Sequence, residues 1–265
     1  MNVITCETWE HVHEVLFAET WNEKIGRFRS AFAYRGLSDV QYPLSTTLMR
    51  LGGDFELLEQ HLLRNFAKYA HRNMVSDESM WHWLSVAQHH GLPTRLLDWT
   101  HSPLVALHFA TCNTDKYGVD GAIWAINYEQ CHNFLPKEYR QTLVNEGANT
   151  FTTSLLSTVC SSLQELSGHN VPPFLLFFEP PSMDDRIINQ YALFSVMSDA
   201  TVSGEQWAER YPDLCKKIVI PAELKWEVRD KLDQSNITER VLFPGLDGLS
   251  KWLSRHYSPK SNEFR

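Results

Sequence analysis

Residues 88–110 read QHHGLPTRLLDWTHSPLVALHFA, and the chain changes character three times within them. Gly91 and Pro93 end the helical pattern before them, because glycine adopts the left-handed C-terminal conformation and proline cannot continue a helix. The next segment, TRLLDW (94–99), is too short and too apolar for a surface helix and reads as a buried strand or an extended turn. Ser102 and Pro103 then restart a helix, with a hydroxyl to cap it and a proline whose φ suits the first helical position. That helix, LVALHFAT, is apolar nearly all round and is expected in the interior.

Upstream, FAYRG (32–36) reads as a strand, with Phe32, Tyr34 and Gly36 on one face and Ala33 and Arg35 on the other. An arginine on an outer face means little, but Arg35 is followed at once by glycine and a polar loop, where a site can open. A short amphipathic helix is expected over 7–20. Phe55, Leu58, Leu62, Phe66 and Ala70 recur at helical spacing between Asp54, the N-cap, and Met74. Another helix is expected from Asp77 to His90.

Downstream, GAIWAIN (121–127), FLLFFEP (174–180) and ALFSVM (192–197) read as strands. The stretch 128–170 between them is expected to be a lid, an insertion or a small subdomain. The end of the chain alternates helix (204–215), strand KKIVIP, helix (221–233) and a final helix around 246–255. Helices dominate the first third and strands the middle, which indicates α+β rather than an alternating parallel sheet. No linker divides the chain, so one domain over 25–255 is expected, behind a helical segment at 1–24 and before a flexible tail at 256–265.

The net charge of −8 argues against broad binding to a phosphate backbone, which needs a basic stripe, but leaves room for a local basic pocket. Five scattered cysteines with no CxxC pair suit reduced thiols better than a disulfide framework. The N-terminal residues lack a basic start with an apolar core, and FLLFF is far too short to span a bilayer, so a cytoplasmic setting without membrane contact is expected.

Three polar islands stand out: Tyr34-Arg35-Gly36, the 87–103 block, and DDRIINQYALFSV (184–196) with Arg186 and Gln190. Each has a structural reading beside a functional one. Arg95 and Asp98 can lock a corner as an ion pair, Ser102 can simply cap a helix, and Gln190 can satisfy main-chain groups at a strand start. His89 and His90 can interact with helix-terminal carbonyls, and without HxxxH or HExxH spacing no metal site is expected. No GxSxG elbow, phosphate loop or GxGxxG is present, which disfavours those enzyme classes.

Taken together the islands resemble the FRG domain, a family marked by an aromatic-Arg-Gly motif, here Tyr34-Arg35-Gly36. The block at 88–110 is similar to the family's most specific segment. Arg186-Ile187 with Gln190-Tyr191-Ala192-Leu193-Phe194 resembles a third block in which glycine usually stands where this chain has Ala192. LFPGLDGLSKWL (242–253) resembles the closing helix. A weaker resemblance is to ADP-ribosyltransferases of the Arg-Ser-Glu type. It implies a split, mostly antiparallel sheet with helices packed around it, and an enzyme acting on NAD or a related nucleotide, as a toxin or phage-defence effector.

That second resemblance also implies the site. Arg35 would grip the pyrophosphate, and Thr100 or Ser102 would orient the nicotinamide ribose. Tyr34, Trp99 or Phe194 would sandwich the ring, with Gly36, His90 and Arg95 completing the binding set. Arg35, Asp98, Thr100 and Gln190 are the expected catalytic residues. Gln190 stands where those transferases carry glutamate, so an active enzyme needs another carboxylate, Asp98, Asp184 or Asp185. The acceptor would be a protein or nucleic acid. The alternative is a module that binds a nucleotide, small molecule or peptide without chemistry.

Overall fold

The computed structural model describes residues 2–70 and 79–260. Its strands are β1 (Asn2–Thr5), β2 (Trp21–Asn22), β3 (Arg27–Phe28), β4 (Phe32–Leu37), β5 (Leu96–Thr100), β6 (Gly121–Asn127), β7 (Phe151–Thr152), β8 (Leu175–Glu179), β9 (Ala192–Met197) and β10 (Cys215–Ile220). Eight of them form one sheet in the order β1-β10-β6-β4-β5-β9-β8-β7, while β2 and β3 make a separate hairpin. The end pairings, β1 with β10 and β7 with β8, are parallel. All pairings between them are antiparallel. The chain is α+β, with a mixed, mostly antiparallel sheet.

The join between β4 and β5 positions everything that follows. Every residue of β4 from Phe32 to Leu37 pairs with β6, and every residue of β5 pairs with β9. Between β4 and β5 the register holds at Tyr34↔Thr100 alone. The sheet is therefore two half-sheets hinged at one pair, and a notch opens beyond it.

Side-chain alternation divides the core by face. Ala33, Leu97, Trp99, Trp124 and Phe177 share one apolar cluster. On the other face, Phe32, Tyr34 and Ile123 pack under the helix Pro103–Thr111, and Leu96, Phe178, Phe194 and Val196 form a separate cluster over the second half-sheet. Gly36 sets the helix height on the first half: a Cβ there would lie 1.9 Å from the Ala106 carbonyl oxygen. Only a glycine lets the backbones approach so closely.

Most expected elements form, several of the helices with shorter bounds. The first helix is Trp9–Phe17, and the helix after Asp54 runs Phe55–Tyr69, its expected end at Met74 lying outside the described residues. The next spans Met80–His89, capped by Ser79, and its expected start at Asp77 is also outside them. Ser102 accepts from the Val105 N–H as the N-cap of Pro103–Thr111.

Two expectations are corrected. The segment 1–24 is not only helical, because Asn2–Thr5 joins the sheet edge beside β10. The stretch 128–170 is not a lid: Tyr139, Phe151, Leu156 and Leu166 are fully buried under the second half-sheet, and Phe151–Thr152 extends that sheet.

Among the described residues, no helix is long and apolar enough to cross a membrane.

Candidate functional site

The notch between the half-sheets opens into a cleft of about 670 Å³. Its floor is Tyr34, Arg35 and Gly36 of β4 with Asp98, Trp99 and Thr100 of β5. One wall comes from the end of the helix Met80–His89 and its turn, with Gln88, His89, His90 and Gly91; Phe109 stands on another. The remaining wall is Arg186, Ile187, Gln190, Ala192 and Phe194. The three polar islands therefore converge on one site.

Arg35 lies in the notch. Its Nη1 donates to the Asp98 carbonyl oxygen at 2.6 Å and stands 3.7 Å from Asp98 Oδ2. Its Nε is buried without a hydrogen-bond partner among the described residues. Burial pulls the guanidinium below its usual range, Asp98 pulls it back up and Arg50 adds a further downward push. Arginine stays charged through such shifts, so the notch holds a cation whose donors are only partly used.

Asp98 presents its carboxylate to the cleft with the side chain 58% exposed. Gln88 fixes it, donating from Nε2 to Asp98 Oδ2 at 2.9 Å while accepting from the Thr94 hydroxyl. The candidate anion thus faces the candidate cation on a braced support.

The two walls meet where His89 Nε2 lies 2.8 Å from Asp184 Oδ2, just before Arg186. Burial works upward on the Asp184 carboxyl, but the N–H of Ile187, the neighbouring His89 and the N–H of Arg186 hold it below its usual range. Arg186 stacks over the Phe243 ring at 5.2 Å. The same wall is tied from behind, where Asn189 Nδ2 donates to the Val241 oxygen and Gln190 Nε2 to the Leu242 oxygen, both at 2.8 Å. The short helix Glu239–Leu242 is anchored in turn by Arg255, which donates to both Glu239 oxygens at 2.7 and 2.8 Å.

Several expected ligand contacts are spent on the fold. Thr100 is buried, and its hydroxyl donates to the Gln190 main-chain oxygen at 2.7 Å and accepts from the Ser102 N–H at 3.0 Å. Trp99 borders the cleft by its backbone position, but its indole turns into the core, donating to Ser195 Oγ at 2.8 Å and packing on Phe177. Tyr34 bonds through its hydroxyl to Ser30 and to the Leu16 oxygen, and Phe194 is 3% exposed.

Arg95 lies away from the cleft. It pairs with buried Glu59 rather than with Asp98, Nε donating at 2.6 Å. Ser102 caps its helix and does not line the cleft. Neither Phe109 nor the His89–Asp184 pairing is among the features expected of the site. Asp184 is one of the carboxylates expected as a substitute for glutamate, whereas His89 is indistinguishable from His90 in sequence. Among the described residues, no group of three or more His, Cys, Asp or Glu could hold a metal ion.

The fold is thus an α+β sheet whose halves join at one residue pair, with an arginine and an acid meeting beside it. The family model of the FRG domain matches residues 30–118. This stretch carries Tyr34-Arg35-Gly36 and the whole 88–110 block, and the chain contains an FRG domain there. The wall bearing Arg186 and Gln190 lies beyond the matched residues. No curated protein and no solved structure matches the chain.

Proposed function

We propose that the cleft binds NAD or a related nucleotide and supports cleavage of its bond to nicotinamide, in the manner of an ADP-ribosyltransferase-like enzyme. The observation that carries this reading is Arg35, held in the notch by Asp98 with its Nε unpartnered and a carboxylate beside it. A guanidinium fork suits a pyrophosphate. Phe109 and Ile187 supply apolar surface for a ring.

The chemistry follows from charge. As nicotinamide leaves with the electron pair of the C–N bond, positive charge develops at the anomeric carbon, and a fixed carboxylate stabilises it. Asp98 takes that role in place of Gln190, whose neutral amide is committed to Leu242. Water or another acceptor then bonds to the anomeric carbon and loses a proton.

One observation favours the alternative of a binding module without chemistry: the Thr100 hydroxyl and the Gln190 amide are both committed to main-chain groups. Incubating the purified chain with NAD and measuring nicotinamide separates the two. The enzyme reading expects release by the wild type, and loss of release with retained nucleotide binding in Asp98→Asn. Binding without release in the wild type leaves the module.

A further inference from the structure

His89 ends the helix Met80–His89 and lines the cleft with its side chain 13% exposed. Its Nε2 stands 2.8 Å from Asp184 Oδ2. A carboxylate oxygen only accepts, so Nε2 carries the proton and Nδ1 of the neutral ring keeps its lone pair. Asp184 is fixed as well, since its other oxygen accepts the Ile187 N–H at 3.1 Å. Capping does not require a carboxylate, because asparagine caps equally well. What the carboxylate adds is control of the imidazole.

We propose that His89, oriented by Asp184, is the general base that activates the acceptor in the cleft, and that this acceptor is water. The inference rests on the reading of the cleft as a nucleotide site and adds the class of reaction, hydrolysis. An imidazole suits a water whose proton is lost as its bond to carbon forms, whereas a guanidinium acceptor, with a pKa above about 12, holds its proton too tightly for such a base. In the step, the water oxygen bonds to the anomeric carbon as the C–N pair departs with nicotinamide. The water proton passes to His89 Nδ1 and from there to solvent. Asp184 accepts from Nε2–H throughout, as a positioning residue, and nothing is oxidised or reduced.

The experiment compares wild type, His89→Ala, His89→Gln and Asp184→Asn for nicotinamide release from NAD, with and without added imidazole, alongside calorimetric binding of ADP-ribose. Both His89 variants should lose about 10²–10⁴-fold in kcat, with ADP-ribose affinity unchanged. Imidazole should restore turnover to His89→Ala, and Asp184→Asn should show a smaller loss in kcat. His89→Gln serves where the alanine variant does not fold. Turnover at the wild-type rate in the His89 variants, binding lost in step with turnover, or no imidazole rescue overturns the proposal. Wild type that binds ADP-ribose but releases no nicotinamide overturns it too and leaves the binding site standing. Wild type that does not bind ADP-ribose overturns both readings.

Discussion

Arg35 Nη1 donates to the Asp98 main-chain oxygen at 2.6 Å, one residue beyond Tyr34 and two short of Thr100, the register pair that joins the half-sheets. One side chain thus bridges the gap where the backbone ladder stops. Arg35→Ala should lower unfolding free energy by about 1–3 kcal/mol, the usual cost of stranding a shielded polar group. Chemical denaturation checks this, and an unchanged midpoint would show the bridge to be idle.

Gly36 is a packing residue before it is a site residue. Gly36→Ala would place its Cβ 1.9 Å from the Ala106 oxygen and 2.7 Å from the Ala110 nitrogen, both backbone atoms. The helix Pro103–Thr111 must then shift, so a loss of at least about 1–3 kcal/mol is expected. A melting temperature equal to wild type would mean that the helix sits less tightly on β4.

These two residues also show what the sequence could convey. The aromatic-Arg-Gly run and the Ser102-Pro103 start were legible because their chemistry is local: alternation, a cap and a fixed φ. The mostly apolar runs of β6 and β9 were legible for the same reason. The edge strand Asn2–Thr5 was not, since its partner lies more than two hundred residues away and its own residues are mostly exposed. The direction of Trp99 was recoverable from the alternation of Leu97 and Trp99 against Asp98, although a functional role for its indole was expected instead. The Arg95–Glu59 pairing was hidden, because nothing in spacing links two residues brought together by a helix packing on a sheet.

Gln190→Glu tests whether that amide is structural. The variant would set a carboxylate against the Leu242 oxygen in place of the Nε2 donor. A loss of about 1–3 kcal/mol is expected near neutral pH, shrinking in acid as the carboxyl regains a proton to donate. Melting scans at two pH values read it, and a variant as stable as wild type at both would free Gln190 for ligand.

The C-terminal anchor predicts acid sensitivity. Burial, with help from Arg229, depresses His108 to about 3, and its Nδ1 is 2.8 Å from Arg229 Nη1. A depressed histidine is neutral in the fold and takes up its proton more readily when unfolded. Its stabilisation is therefore complete above about pH 6.5 and declines as pH falls toward 3. Glu239 resists burial through Arg255 and Arg229 and is held down at about 2, so its contribution is lost between about 4.5 and 2. Stability should fall in two overlapping steps below pH 6.5, and His108→Gln should flatten the upper one. Equal slopes in wild type and variant would remove His108 from the account.

The claim that the notch is a nucleotide site meets its most direct test in a calorimetric titration of wild type and Arg35→Lys with ADP-ribose. Lysine keeps the charge and one donor for Asp98 but loses the planar fork that pairs with a pyrophosphate. The expected result is saturable one-to-one binding by the wild type and an affinity at least tenfold weaker in Arg35→Lys, about 1.4 kcal/mol, with nearly the same melting temperature. No binding by the wild type, or equal binding by both, would contradict the account.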